Sequence, residues 1–89
     1  MWRDDPVQLT PIELRLLEVL LANRGKLVTR EQLLADVWGS RAPSDRGRVR
    51  VVMVQLRRKL HDDAARPRLI LTEPGIGYRW IGDDEELDG

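Results

Sequence analysis

Apolar residues recur at helical spacing in three stretches of the chain, then give way to short apolar runs broken by proline and glycine. This switch of period predicts three helices followed by a β-hairpin. The first stretch opens on Leu9-Thr10-Pro11-Ile12-Glu13-Leu14. Thr10 is placed to cap, Pro11 suits the first helical position, and Glu13 can reach back to the cap amide, which together make a capping box. Leu9 and Leu14 stand at the staple positions, and Ile12, Leu16, Val19 and Leu20 continue the stripe to a stop at Gly25, giving helix one from about Pro11 to Asn23. Val28-Thr29-Arg30-Glu31-Gln32-Leu33 repeats the signal, with Thr29 as cap, Gln32 as box partner and a Val28–Leu33 staple. Leu33, Leu34, Val37 and Trp38 form the buried stripe of this short second helix, which Gly39 ends.

Ser40 to Asp45 holds Pro43 and small polar residues and reads as a loop leading to a cap at Ser44 or Asp45. The third helix runs on to about Leu60 over a length of roughly 22 Å. Its stripe is Val49, Val52, Met53, Leu56 and Leu60. His61 to Arg68 is a polar connector, and Leu69–Glu73 and Tyr78–Ile81 are expected strands around Pro74-Gly75-Ile76-Gly77. The fold class is therefore α+β: three helices and a C-terminal hairpin over residues 1–82, followed by an acidic tail, 83–89, too poor in apolar residues to fold.

Composition narrows the function. Eighty-nine residues make one small domain with no room for a second core or a large substrate cavity. With no cysteine there are no disulfides, thiolate zinc sites or cysteine nucleophiles. The longest apolar stretch, Leu14 to Ala22, is broken by Arg15 and Glu18, so no membrane span is expected. Met1-Trp2-Arg3-Asp4-Asp5 lacks the apolar core of a secretion signal, and the cytoplasm is the expected compartment. No catalytic constellation is visible. Ser40 and Ser44 have no histidine nearby in sequence, the paired carboxylates Asp62-Asp63 and Asp83-Asp84 sit on connectors read as flexible, and Gly75-Ile76-Gly77 lacks the strand-to-helix context of a phosphate loop. The expectation is a protein that is not an enzyme and takes no cofactor or metal. His61 reads as a favourable partner of the helix dipole, and Trp38 and Trp80 as core anchors.

The formal net charge is zero, yet it is unevenly divided: −1 over residues 1–40, +6 over 41–82 and −5 over 83–89. Between Arg46 and Lys59 the chain carries six cations and no acid. An unmixed basic helix is best explained by an anion lying against it. Arg48, Val51, Val54, Gln55 and Arg58 form a stripe facing away from the apolar one. Valine suits a thymine methyl, glutamine an adenine edge, and arginine guanine or phosphate, so this face fits a DNA major groove. Alternatively, Val51 and Val54 form an apolar docking patch and the domain is a protein-interaction module. A further expectation is that the acidic tail competes with DNA for the basic helix.

Two helices, a basic third helix and a hairpin make a winged helix-turn-helix. The stretches Leu9-Thr10-Pro11-Ile12-Glu13-Leu14-Arg15-Leu16-Leu17, Leu27 to Gly39, Leu56-Arg57-Arg58-Lys59-Leu60 and Ile76-Gly77-Tyr78-Arg79-Trp80 resemble the DNA-binding effector domain of OmpR/PhoB-type response regulators, over residues 7–82. Ala65-Arg66-Pro67-Arg68 and Thr72 to Arg79 look most like its KdpE branch, which regulates potassium transport. The resemblance implies sequence-specific binding of double-stranded DNA in transcription regulation, with helix three in the major groove, the hairpin as a wing at the adjacent minor groove, and the 39–45 loop able to touch RNA polymerase. It places Arg48, Val51, Val54, Gln55 and Arg58 toward the bases. Arg46, Arg50 and Arg57 are then phosphate candidates, and Thr72, Gly75 and Tyr78 match backbone-contacting wing positions, with Tyr78 equally suited to packing its ring under the wing.

Three departures from the family are visible. The four-stranded sheet before helix one is largely absent, with only Pro6 to Leu9 able to supply a strand of it, as in an excised piece or a shortened member. There is no receiver domain, whose phosphorylation and head-to-tail dimers on direct repeats the resemblance implies for full-length relatives. The isolated unit is expected to form a weak dimer or none. Finally, Pro74 stands where some members place a minor-groove arginine, and Val54 and Gln55 where some place arginines on the recognition helix, so a target sequence does not transfer.

Overall fold

The computed structural model describes residues 8–39 and 46–82. Helix α1 (Pro11–Ala22) begins with both halves of the capping box in place. Thr10 Oγ1 accepts from the Glu13 amide at 3.2 Å and Glu13 Oε1 accepts from the Thr10 amide at 2.9 Å. At the other end, Asn23 Nδ2 donates to the Val19 carbonyl at 2.8 Å, and Gly25, at φ 79°, turns the chain into strand β1 (Leu27–Thr29). Thr29 caps α2 (Arg30–Leu33) by accepting from the Gln32 amide at 3.1 Å. The second helix then widens into a π-helical segment over Leu34–Trp38, where sequence periodicity predicts a uniform α-helix, and Gly39 closes it in the left-handed region at φ 67°.

Helix α3 (Arg46–Leu60) ends differently. The Asp62 amide donates to the Arg57 carbonyl at 2.9 Å and the His61 amide to the Arg58 carbonyl at 3.2 Å, the bond pair of a Schellman turn. The left-handed position of that turn, φ 58°, is held by His61 and not by glycine. Strands β2 (Ile70–Glu73) and β3 (Gly77–Trp80) form the expected hairpin. Pro74 and Gly75, the latter at φ 75°, occupy the middle of a type II turn closed by the Ile76 amide on the Glu73 carbonyl at 3.0 Å.

The hairpin is not alone. The sheet has three antiparallel strands in the order β1-β3-β2, with Val28 and Thr72 flanking Tyr78. Sequence pattern alone does not predict β1, because three residues show too little alternation and their partner lies some fifty positions on. Gly77 is where the two strands meet most closely: a Cβ there would overlap the Val28 carbonyl oxygen and stand 2.8 Å from Thr29 Cα. Gln8 and Leu9 form no strand, while Pro6, Val7, the 40–45 loop and the 83–89 tail lie outside the described residues.

The core lies between the helices and the sheet. Leu16, Leu17 and Leu20 of α1 meet Leu33 and Leu34, the α3 stripe Val49, Met53, Leu56 and Leu60, and Ile70, Tyr78 and Trp80 of the wing. Trp80 is a buried anchor as expected, whereas Trp38 is only partly buried against this cluster. The polar connector also departs from its expected flexibility. Asp62 is buried, its Oδ1 accepting from the amides of Arg68 (2.8 Å) and Leu69 (3.0 Å) and its Oδ2 from that of Ile70 (3.0 Å). A second buried carboxylate, Glu13, joins α1 to α3 through Lys59 Nζ at 2.5 Å. Burial raises its pKa, but the Lys59 ammonium and the Thr10 groups more than offset this and hold it below the ordinary 4.5.

Three outcomes follow from these contacts. Gly77→Ala forces β1 away from β3 against backbone atoms and is expected to cost about 3 kcal/mol, read from urea unfolding; a variant as stable as the parent contradicts the close approach. His61→Gly relieves the left-handed strain and raises stability by about 1 kcal/mol, checked by the same measurement. Because the folded pKa of Glu13 is depressed, its contribution is complete above pH 4.5 and lost as the pH falls through the lower folded value. Glu13→Gln therefore reduces stability by about 1–2 kcal/mol at pH 7 and flattens the acid limb of a stability–pH curve.

Candidate nucleic-acid interface

One arc of α3 packs into the core, so the opposite arc is presented to solvent. Arg48, Val51, Val54, Gln55 and Arg58 are all exposed, and Val51 and Val54, at 56% and 50% accessible, place two apolar side chains close together on this arc. This ridge separates two depressions. On the wing side, a recess of about 360 Å³ is lined by Arg30, Arg50, Val54, Thr72, Pro74 and Gly75 among others. On the α1 side, a shallow and mainly apolar groove of about 600 Å³ runs along Thr10, Ile12, Trp38, Arg48, Val51, Val52 and Gln55.

The six cations of α3 do not act alike. Arg57, expected at a phosphate, is instead buried at 8% exposure. Its Nη2 donates to the Ile70 carbonyl at 2.8 Å and to Thr72 Oγ1 at 2.6 Å, its Nε lies 3.9 Å from the Asp62 carboxylate, and its guanidinium sits 5.9 Å from the centre of the Tyr78 ring. The physical reason is its place in the helix. Four residues after Met53 and three before Leu60, it lies at the edge of the buried stripe, where the wing closes over it. Lys59 is paired with Glu13. Arg50 and Arg58 remain exposed, Arg48 is exposed with an interaction of its own, and the Arg46 side chain lies outside the described residues.

In the wing, Thr72 is exposed and its hydroxyl accepts from Arg57, which frees its own hydrogen to donate outward. Gly75 is exposed at the turn. Tyr78 is 7% accessible with its ring beneath Arg57, so packing is the role its geometry displays. Glu73, the acid among the described residues lining the recess, is balanced by Arg79 Nε at 3.3 Å.

Arg30 is the residue that sequence reasoning missed. It opens α2, its amide donates to the Ile76 carbonyl at 3.2 Å, and its side chain lines the recess with Arg50. The signal available was a cation directly after a helix cap, but only the packing of α2 on the wing turn puts it beside α3. Among the described residues, no group of three or more histidine, aspartate and glutamate side chains is arranged to hold a metal ion, and no helix is long and apolar enough to cross a membrane.

Comparison with known proteins gives this geometry a family. Residues 4–80 match the family described as "Transcriptional regulatory protein, C terminal". The chain is 53% identical over 78 residues to the KDP operon transcriptional regulatory protein KdpE of Escherichia coli K12, covering 88% of this chain and 35% of that protein. It is 51% identical over 74 residues to KdpE of Mycobacterium tuberculosis H37Rv, covering 83% and 33%. The chain thus spans about a third of the length of these curated relatives. Among solved structures, the Klebsiella pneumoniae RstA DNA-binding domain in complex with the RstA box superposes with a TM-score of 0.78 at 30% identity, covering 83% of this chain and 73% of that one. A winged helix-turn-helix whose match spans nearly all of its described residues, this chain belongs to the family of OmpR/PhoB-type response-regulator effector domains, with KdpE proteins among its relatives.

Proposed function

We propose that this domain binds double-stranded DNA sequence-specifically in the cytoplasm, as the effector unit of a transcriptional response regulator. The observation that carries the reading is the α3 ridge. Two exposed valines and a glutamine stand there between exposed arginines, on a helix otherwise held rigidly by the core. A helix of this kind enters a major groove, where Val51 and Val54 meet thymine methyls and Gln55 an adenine edge. Arg48 and Arg58 flank them toward guanine or phosphate. Arg50, Arg30 and Thr72, gathered around the wing-side recess, hold the DNA backbone and set register, as does Arg46 from the start of α3. The wing turn then lies at the neighbouring minor groove. The likeness to a domain solved with its DNA box supports this arrangement.

The chain spans about a third of the length of its KdpE relatives, and signal reception is assigned in this proposal to a receiver domain in the remainder of such a protein. Contact with RNA polymerase through residues 39–45 belongs to the same proposal, though beyond Gly39 that loop lies outside the described residues.

The test is retention of randomised duplexes, read by fluorescence anisotropy at two salt concentrations and followed by sequencing. A steep salt dependence with an enriched motif is expected. Salt-independent binding, or no binding at low salt, favours a protein-interaction module built on the apolar α3 surface. On the enriched site Gln55→Ala loses roughly 1–3 kcal/mol with little change on random DNA. Arg50→Ala weakens both alike and reduces the log–log salt slope by about 1. Equal losses for Gln55→Ala on both kinds of DNA contradict base reading by that residue.

A further inference from the structure

The wing tip is chemically unlike the rest of the proposed interface. Pro74, Gly75, Ile76 and Gly77 carry no polar side chain, and the acid that precedes them, Glu73, is balanced by Arg79. A tip of this composition has no cation to draw it to phosphates or into the negative potential of a narrow groove. It presents hydrocarbon instead: Ile76 is 50% exposed.

An isolated exposed isoleucine is ordinary on a protein surface, but the backbone here is pinned on both sides. The Ile76 amide donates to the Glu73 carbonyl at 3.0 Å and its carbonyl accepts from the Arg30 amide at 3.2 Å. Pro74 fixes one turn dihedral, Gly75 adopts φ 75°, and Gly77 is pressed against the Val28 carbonyl. The backbone that carries this exposed side chain is therefore held by the fold, and the same Arg30 that lines the recess beside α3 ties the tip to α2. A turn held in this way loses less backbone entropy when it is immobilised in a complex.

Resting on the DNA-binding reading, we propose that Ile76 is the specificity-bearing residue of the wing, selecting A·T pairs by apolar contact with the minor groove. In that groove A·T pairs show only acceptors on the floor, whereas a G·C pair adds the guanine 2-amino donor. An isoleucine fits against the sugar walls over A·T. Over G·C it covers an amino group and offers no acceptor to it, and an unsatisfied donor of this kind lowers affinity roughly tenfold. Selection here comes from exclusion of a polar group and not from charge, so it is insensitive to salt.

Inosine tests this directly, because an inosine·cytosine pair keeps the major-groove oxygen and ring nitrogen of G·C but lacks the 2-amino group. The full chain is titrated with duplexes of its enriched site in which the pairs flanking the α3 segment are changed one at a time to A·T, inosine·cytosine or G·C. The expected result is equal affinity for A·T and inosine·cytosine and about tenfold weaker binding to G·C at one or two adjacent pairs, unchanged between the two salt concentrations. Ile76→Ser should reduce that discrimination to less than about twofold while retaining the Gln55-dependent preference at the α3 pairs. Ile76 is exposed, so the variant should melt like the parent. Ile76→Arg should steepen the salt slope by about one contact. Equal binding of inosine·cytosine and G·C by the parent at every flanking pair overturns the proposal, as does full discrimination by Ile76→Ser. Failure of the DNA-binding reading looks different, since the parent then retains no duplex in a salt-dependent way.

Discussion

The position of the wing against α3 depends on one buried carboxylate. Asp62 follows the left-handed turn at His61, points inward, and accepts from three successive backbone amides at the start of the returning chain. A buried charge is costly unless it is fully hydrogen-bonded. Here the cost is offset by three charge-assisted bonds and the nearby Arg57 guanidinium. Arg57 then reaches onward to the Ile70 carbonyl, Thr72 and the Tyr78 ring. Helix end, connector and wing are thereby locked as one unit, with the exposed hydroxyl of Thr72 and the recess beside α3 placed as a consequence.

The same economy governs the cations. A reading of α3 by itself counts six positive side chains on an acid-free helix. In the folded domain the acids arrive from other elements: Glu13 of α1 neutralises Lys59, and Asp62 of the connector serves Arg57. Among the described side chains the outward field is therefore narrower than the sequence count implies, resting on Arg48, Arg50 and Arg58, with Arg30 supplied by α2. This division matches what a groove-reading helix requires. Charges buried where α3 meets the wing give rigidity, while the exposed charges of the ridge lie on the surface an anionic partner would meet.

Local signals in the chain were legible wherever the physics is local. The capping box at Thr10 and Glu13, the cap at Thr29, the stop at Gly39, the α3 stripe and the Pro74-Gly75 turn each rest on bonds between residues no more than four apart, so composition and spacing suffice to find them. Helical periodicity likewise identified the outward stripe from Arg48 to Arg58. What it could not separate was residues at the edge of that stripe, because Arg57 and Arg58 look alike until something packs over one of them.

The sequence by itself therefore determined the order and kind of the main elements, most of the core faces of α1 and α3, and the side chains on the exposed arc of α3; it did not mark Leu17, which is buried, and it counted Ile12 and Val52, which are only half-buried. Tertiary structure alone decided that Leu27–Thr29 is a strand, that Arg57 and Lys59 turn inward, that Asp62 is an anchor and not part of a flexible linker, and that Arg30 joins the wing-side recess. The dividing line is the range of the interaction. Caps, turns and helical stripes are settled within a few residues, whereas β-pairing and the neutralisation of a buried charge depend on partners brought together only when the chain has folded.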